Sequence, residues 1–188
     1  MGAVLRMAAQ PQVAAQTITP QDGTRAQQKL FDLSRQARRG ETVVLTQPEL
    51  NALLARHLIG GRGVTLATPV ATLVGDDRVR IEGQIPAREV LEEATLGALA
   101  DLLPTRWQTR PLWLRVGAHL RLENEGSRRQ VRLEVDEFAI GRQRLPAAML
   151  RMVLDPATVG MMQWTLPDYI DRIDIEPGRV VVRPASAR

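Results

Sequence analysis

The sequence predicts an α+β protein with a long, curved antiparallel sheet of hairpins that is packed on, or wrapped around, helices. The strongest observation is an unbroken alternation of apolar and mostly polar residues from Leu112 to Leu122. Because successive strand side chains point to opposite faces, this run predicts one long strand with an apolar and a polar face. After a turn at 124–127 the alternation resumes over 131–136, which indicates an antiparallel partner strand. The remaining segments alternate between helical and hairpin patterns, as in α+β domains.

The first helix is predicted from its two ends. Residues 1–18 are rich in alanine and glutamine without periodicity, which indicates a linker or flexible N-terminus. Thr19 followed by Pro20 is typical of an N-cap and a first helical position, and Gly40 is typical of a helix end. Between these ends runs a narrow apolar stripe at helical spacing, formed by Ala26, Leu30, Leu33 and Ala37.

A capping box predicts the second helix. A short strand at 42–45 leads to Thr46 and Glu49, whose spacing lets the threonine oxygen accept a backbone N–H while the glutamate reaches back. This helix should end at the glycine pair 60–61. A hairpin follows, with its turn at 75–77 between two strands of alternating pattern.

The C-terminal half continues the same kinds of element. A helix is predicted over 86–104, bounded by prolines. At 136–137, in the long hairpin, the alternation slips by one residue, and this indicates a β-bulge. Two short helices are predicted at 146–154 and 157–163. A third hairpin turns at Pro177-Gly178.

Composition bounds the class of protein. The chain has 188 residues and predicts one domain at 19–184, with a short tail at 185–188. It has no cysteine, which excludes disulfides, thiolate metal sites and a cysteine nucleophile. The net charge is +4, but Lys29 is the only lysine and the arginines are interleaved with acidic residues. This pattern favours a solvated surface of mixed charge over nucleic-acid binding, which is the third alternative.

No catalytic, metal or cofactor pattern is present. The two histidines, His57 and His119, have no partner at metal-ligand spacing. The nucleotide-binding glycine motifs and the G-x-S-x-G elbow are absent from the sequence. Asp174 and Glu176 would share a strand face, where a solvated charged surface is favoured over a cation site or an acid–base pair. We therefore expect a non-enzymatic protein without cofactor or metal.

Several features predict contact with something apolar. Trp113 lies on the polar phase of the longest strand, where it should meet a helix, a lipid or a protein partner. Segment 147–164 is rich in methionine, whose flexible side chain suits irregular apolar ligands as well as ordinary core packing. Only six residues of the chain are aromatic, so that a long curved sheet would be difficult to fill completely.

These features predict a groove for a lipid or other apolar ligand between sheet and helices. The predicted lining is Leu114, Val116, Leu120, Leu133 and Val135, with Met149, Met152 and Trp164 near a mouth. Arg115 and Arg151 would hold an anionic head group at the rim. The alternative is a structural or assembly module that binds another protein through an exposed apolar patch including Trp113.

The order of motifs resembles a known group of proteins. The first predicted helix contains Gln27-Gln-Lys-Leu30, and the segment 43–54 reads Val-Val-Leu-Thr-Gln-Pro-Glu-Leu-Asn-Ala-Leu-Leu. Together with the alternating hairpins, these segments resemble bacterial envelope proteins of unknown function whose fold is similar to the tubular lipid-binding superfamily. The resemblance implies a curved antiparallel sheet that wraps a long helix and leaves an apolar groove. It defines no catalytic residues.

The resemblance also bears on location. Such envelope proteins are commonly anchored by one N-terminal transmembrane helix, and the sequence shows no stretch of about 20 apolar residues that would form one. A periplasmic or membrane-associated location is expected if an anchor is missing from this chain, and a cytoplasmic one otherwise. The expected partners are a lipid-like small molecule, a membrane surface or a protein.

Overall fold

The structure, a computed structural model, describes residues 19–58, 66–86, 111–125, 128–150 and 162–185. Within these ranges it confirms the α+β class and antiparallel strand pairing. The helices are α1 (Pro20–Arg38) and α2 (Gln47–Leu58), with a short 3₁₀ helix at Ala147–Met149. The strands are β1 (Val43–Thr46), β2 (Ala67–Gly75), β3 (Arg78–Pro86), β4 (Pro111–Glu125), β5 (Arg128–Ile140), β6 (Gln143–Leu145), β7 (Gln163–Thr165), β8 (Ile170–Glu176) and β9 (Arg179–Pro184).

Helix α1 begins and ends where the sequence predicts. At its start, the backbone N–H and the hydroxyl of Thr19 both donate to the carboxylate of Asp22, at 2.8 and 2.7 Å. After its last turn the chain passes through Gly40 with φ +79°, a conformation that glycine adopts without steric cost.

Only part of the apolar stripe of α1 is buried. Ala26 is fully buried and Leu33 is half-buried, but Leu30 is 45% exposed. The reason is the orientation of the helix, in which Lys29 points at β1 and donates to the Val44 carbonyl at 2.8 Å. Because neighbouring helical residues differ by about 100° in direction, Leu30 is turned towards the margin of the packed face.

The described strands form two sheets rather than one. The larger has the order β2-β3-β4-β5-β6, and β7 also pairs with β5. The smaller has the order β1-β9-β8, so the first of the described strands pairs with the last of them, with Val43 opposite Val182. The turns predicted at 75–77 and 177–178 both connect antiparallel hairpins, which confirms them.

The long hairpin contains the predicted bulge. Gly117 lies opposite Glu137 and Ala118 lies opposite Val135, which leaves Asp136 as one extra residue on β5. The side chains of Asp136 and Glu137 then lie over Gly117. A Cβ at this glycine would come within 2.9 Å of the Glu137 Cβ, so the bulge requires a residue without a side chain here.

The segments beside the long hairpin are described only in part. Of the helix predicted over 86–104, Pro86 is the last residue of β3 and the remainder lies outside the described residues. The 3₁₀ helix occupies the start of the segment predicted as helical over 146–154. The helix predicted to end at Gln163 is wrong at that residue, because Gln163 pairs with Arg132 as the start of β7.

Buried apolar residues form two clusters. The first apolar cluster lies where the two sheets pack together and consists of Val43, Ala71, Leu73, Val79, Ala118, Leu120, Val131, Leu166, Ile170, Ile175 and Val182. The second apolar cluster lies further along the larger sheet and consists of Ile85, Leu114, Phe138, Ile140 and Leu150. Apolar area removed from water at these clusters is the main stabilising contribution to the fold.

The turn between β2 and β3 joins the two sheets. Asp76 and Asp77 both have positive φ, as a two-residue hairpin turn requires. Asp77 exchanges hydrogen bonds with Ile175 of β8: its backbone N–H donates to the Ile175 carbonyl at 3.1 Å, and its carboxylate accepts from the Ile175 N–H at 2.9 Å. The Asp77 carbonyl also accepts from the Leu120 N–H at 2.7 Å.

Candidate functional site

The residues predicted to line a groove lie on one face of the long hairpin. Leu120 is directly opposite Leu133, and Ala118 is opposite Val135. Directly paired residues of antiparallel strands project to the same side of a sheet, as do alternate residues of each strand. The structure therefore brings five predicted lining residues onto a single face, namely Leu114, Val116, Leu120, Leu133 and Val135.

Burial varies along this face. Leu114 belongs to the second apolar cluster and is 3% exposed, while Leu120 belongs to the first and is 8% exposed. Beside and between them are half-buried apolar residues that we call the intermediate stripe, defined as Ile81, Val116, Leu133 and Val135. Val135 packs against both clusters, so the stripe is continuous with the core on either side.

The predicted mouth is not assembled in one place by the described residues. Trp164 is 38% exposed and lies opposite Val131. Met149 is 39% exposed and precedes Leu150, which is buried in the second apolar cluster. The two side chains therefore stand at different points along β5. Met152 and Arg151 lie outside the described residues.

The opposite face of the larger sheet is polar. Arg115 lies here, and its Nε donates to the buried carboxylate of Glu82 at 2.5 Å. Trp113 is half-buried on the same face, opposite Gln84 of β3, and its carbonyl accepts from the Gly141 N–H at 2.6 Å. A half-buried indole on a polar face offers only part of its area to a protein partner.

Ion pairs cover the polar face. Five arginines of β3, β4 and β5 lie between 2.5 and 3.6 Å from carboxylates of the same face, and these are Arg78, Arg80, Arg115, Arg121 and Arg132. Nucleic-acid binding draws its affinity from cations that neutralise phosphates. Arginines already paired with carboxylates are less suited to that task than free ones.

Two cavities with charged linings are present among the described residues. One of about 550 Å³ lies beside β8 and is rich in carboxylates, with Asp174 held by Arg183 at 2.7 Å and also paired with Arg172. Its carboxylates do not form a metal site, because no group of three ligating side chains occurs within the described ranges. The other, of about 300 Å³, lies on the polar face near β6.

Segment 43–54 has a structural role in the described fold. Lys29 of α1 donates to Glu49 at 2.8 Å, and Glu49 accepts from the Thr46 N–H at 2.8 Å, as a capping box requires. Glu49 is 2% exposed. Burial acts to raise its pKa, but the hydrogen bonds from Lys29 and Thr46 outweigh burial and hold the pKa below its ordinary value.

The same segment covers the outer edge of β2. Asn51 is fully buried; its amide nitrogen donates to the Ala71 carbonyl at 2.9 Å and its amide oxygen accepts from the Ala71 N–H at 2.6 Å. The Gln47 side chain accepts from the Leu73 N–H at 2.6 Å, and the Gly178 N–H donates to the Leu73 carbonyl at 3.0 Å. Side chains and a turn thus replace the neighbouring strand that an exposed edge would invite.

Sequence reasoning missed the cavity near β6. The alternation of Arg78 and Arg80 with apolar residues does place both arginines on one face. Their partners Asp136 and Glu137, however, lie more than 50 residues away and meet them only through the order of strands in the sheet. A pattern of neighbouring residues therefore does not predict these long-range ion pairs.

No protein-family model and no curated protein matches the chain. Among the described residues, no helix combines the length and apolar composition that a membrane span requires.

Proposed function

We propose that this protein binds a lipid or another apolar ligand without catalysing a reaction, in a groove between its long sheet and helices. The observation that supports the proposal is the intermediate stripe. Its side chains are apolar and only half-buried, although they pack against the two buried clusters on the same face. An apolar chain laid along Val116, Leu133 and Val135 would remove this remaining area from water.

The physical basis of binding would be apolar burial. Each square ångström of apolar surface removed from water contributes about 25 cal/mol, before the cost of ordering the ligand. This contribution is not directional, and apolar chains differ from one another mainly in length. We therefore expect the stripe to select weakly among acyl chains.

The proposal includes the location and curvature that the resemblance implies. The envelope proteins that this chain resembles are commonly anchored at a membrane, and a sheet that wraps around a helix would give the groove its second wall. On this view the larger sheet supplies the apolar floor through β3, β4 and β5. The protein would act at the bacterial envelope, in the periplasm or at the membrane surface.

Native mass spectrometry of the purified full chain, with organic extraction of bound molecules, tests the proposal. We expect a fatty acid or phospholipid in near-stoichiometric amount, either as purified or after incubation with phospholipid vesicles. A mass that stays at the ligand-free value in both preparations would contradict lipid binding. It would favour a protein-binding module, with Trp113 as the residue to substitute first.

Substitutions at Val116 test the position of the ligand. Leu120 is unsuitable because it is buried in the core and a charge there would disrupt the fold. Val116 is half-buried, so Val116→Gln should lower lipid occupancy severalfold, while the matched Val116→Leu variant should retain it. Thermal denaturation establishes that both variants are folded. Equal occupancy in both variants and the wild type would show that the ligand lies elsewhere.

A further inference from the structure

The cavity on the polar face near β6 is lined by charged side chains from three strands. Its volume is about 300 Å³, which is ample for a carboxylate or a phosphate group. The charged side chains of the lining are those of Arg78, Arg80, Asp136, Glu137 and Arg144. Three arginines against two carboxylates leave one excess positive charge, and a lining with this excess favours an anionic occupant.

The sheet separates this cavity from the intermediate stripe. Phe138 and Leu145 also border the cavity, but they pair directly with each other, and their side chains pack in the second apolar cluster on the other face. Arg144 precedes Leu145 in β6, so its side chain projects to the opposite side. The chemistry of the cavity is therefore set by the charged side chains, and its ligand is independent of an apolar ligand on the stripe.

The two carboxylates of the lining already have cationic partners. Glu137 lies 3.3 Å from Nη2 of Arg78 and 3.5 Å from Nη2 of Arg80. Asp136 lies 3.2 Å from Nη2 of Arg78. Because both negative charges are engaged by the arginines of β3, the charge of Arg144 is the one left without compensation.

Hydrogen-bond donors remain in the lining after these ion pairs are made. Arg144 is exposed, and its side chain makes no ion pair with the other described residues. The Nε groups of Arg78 and Arg80 are buried and have no hydrogen-bond partner among the described residues. A guanidinium group with donors left over is only partly satisfied, and an oxyanion offers several acceptor atoms to such groups.

We infer that this cavity binds a small soluble oxyanion, a phosphate or a carboxylate, between Arg144 and the arginines of β3. Arginine forks hold oxyanions through paired, charge-assisted hydrogen bonds. Glu137 lies between Arg78 and Arg80 and holds both guanidinium groups in place before a ligand binds. The inference goes beyond the proposed function, since both the class of ligand and the face of the sheet are different.

Titration of the full chain with sodium phosphate, followed by NMR at pH 7 and constant ionic strength, tests the inference. We expect saturable shifts of the Nε–H signals of Arg78 and Arg80. Arg144→Gln should weaken phosphate binding about tenfold, because it removes a charged donor from the site. Arg144 is exposed, so this variant should keep the thermal stability of the wild type.

Two further variants distinguish a site from a response to net charge. Asp136→Asn keeps the shape of the side chain and removes a negative charge from the lining, so it should tighten phosphate binding severalfold. Arg121→Gln removes an exposed, ion-paired arginine of the same face outside the cavity and should leave the affinity unchanged. Equal weakening by Arg121→Gln and Arg144→Gln would overturn the site.

A second anion and a lipid surface identify the source of the oxyanion. Saturable shifts of the same signals with sodium acetate would extend the site to carboxylates and support the inference. Shifts that appear only with vesicles of phosphatidylglycerol would assign the arginines to a membrane surface and overturn a soluble ligand. The absence of saturable shifts with both phosphate and acetate would also overturn the inference, and it would have no bearing on lipid binding by the other face.

Discussion

Lys29 and Glu49 show how single residues connect distant parts of this chain. Lys29 is the only lysine, and it joins α1 to β1 through the Val44 carbonyl and to α2 through Glu49. A carboxylate that is 2% exposed would be unfavourable without such a partner. The pair therefore fixes the relative position of the first three elements.

The lowered pKa of Glu49 predicts a pH dependence of stability. Because the folded pKa lies below the ordinary value of 4.5, the ionised carboxylate stabilises the folded state above that value, and the contribution is lost as the pH falls through the folded pKa. Urea denaturation at pH 7 and pH 4 should show a larger loss of unfolding free energy in the wild type than in Glu49→Gln.

A matched carboxylate provides the control for this measurement. Glu134 is exposed and pairs with Arg121 at 3.3 Å, so Glu134→Gln should retain the pH dependence of the wild type. The same slope with pH in the wild type and in Glu49→Gln would show that the Glu49 ion pair does not contribute.

At the scale of elements, the edge of β2 is protected by two different devices. Side chains of α2 form hydrogen bonds with the backbone N–H and carbonyl of Ala71 and with the N–H of Leu73. The β8–β9 turn donates a hydrogen bond to the Leu73 carbonyl. The β8–β9 turn can reach Leu73 because it lies close to the β2–β3 turn. A Cβ at Gly75 would lie 2.9 Å from the Pro177 Cγ, so only glycine fits there without displacement.

Two glycine substitutions separate close packing from backbone conformation. Gly75 has φ +101° and meets Pro177, whereas Gly178 has φ +75° and no heavy atom within 4 Å of an added Cβ. Gly75→Ala should lower the unfolding free energy by about 3 kcal/mol and Gly178→Ala by about 1 kcal/mol, since both lose conformational freedom but one also overpacks. Equal losses, measured by urea denaturation, would contradict the role of the contact with Pro177.

Local elements of this fold were the most predictable from the sequence. The long hairpin, its bulge at Asp136 and the caps of α1 and α2 were all predictable, because each depends on residues within a few positions of one another. The division into two sheets was not predictable, since it depends on pairing Val43 with Val182. Burial was also not predictable from the sequence. Leu114 and Val116 belong to the same alternating pattern, and what packs over each side chain decides its exposure.

At the scale of the whole molecule, Asp77 connects the two sheets. Its carboxylate accepts from the Ile175 N–H, and its φ of +58° favours asparagine or aspartate among residues with side chains. Asp77→Ala should therefore lower the unfolding free energy by about 2 kcal/mol, while Asp77→Asn, which keeps an acceptor oxygen, should remain near the wild type.

Hydrogen exchange at Ile175 checks this connection directly. The amide of Ile175 should exchange faster in Asp77→Ala than in Asp77→Asn, because its acceptor is removed only in the first variant. Equal protection in both variants would show that the Asp77 carboxylate does not help to hold the two sheets together.

The two protections on β2 also differ in when they become available during synthesis. Helix α2 precedes β2 in the chain, so Asn51 and Gln47 leave the ribosome before the strand that they cover. Gly178 follows Leu73 by roughly a hundred residues, which takes on the order of 5 to 20 s to translate. During that interval one of these four backbone groups on the edge of β2, the Leu73 carbonyl, lacks its partner. Proteins made from messenger RNAs truncated before the codons for β8 and β9 should therefore depend on chaperones and self-associate.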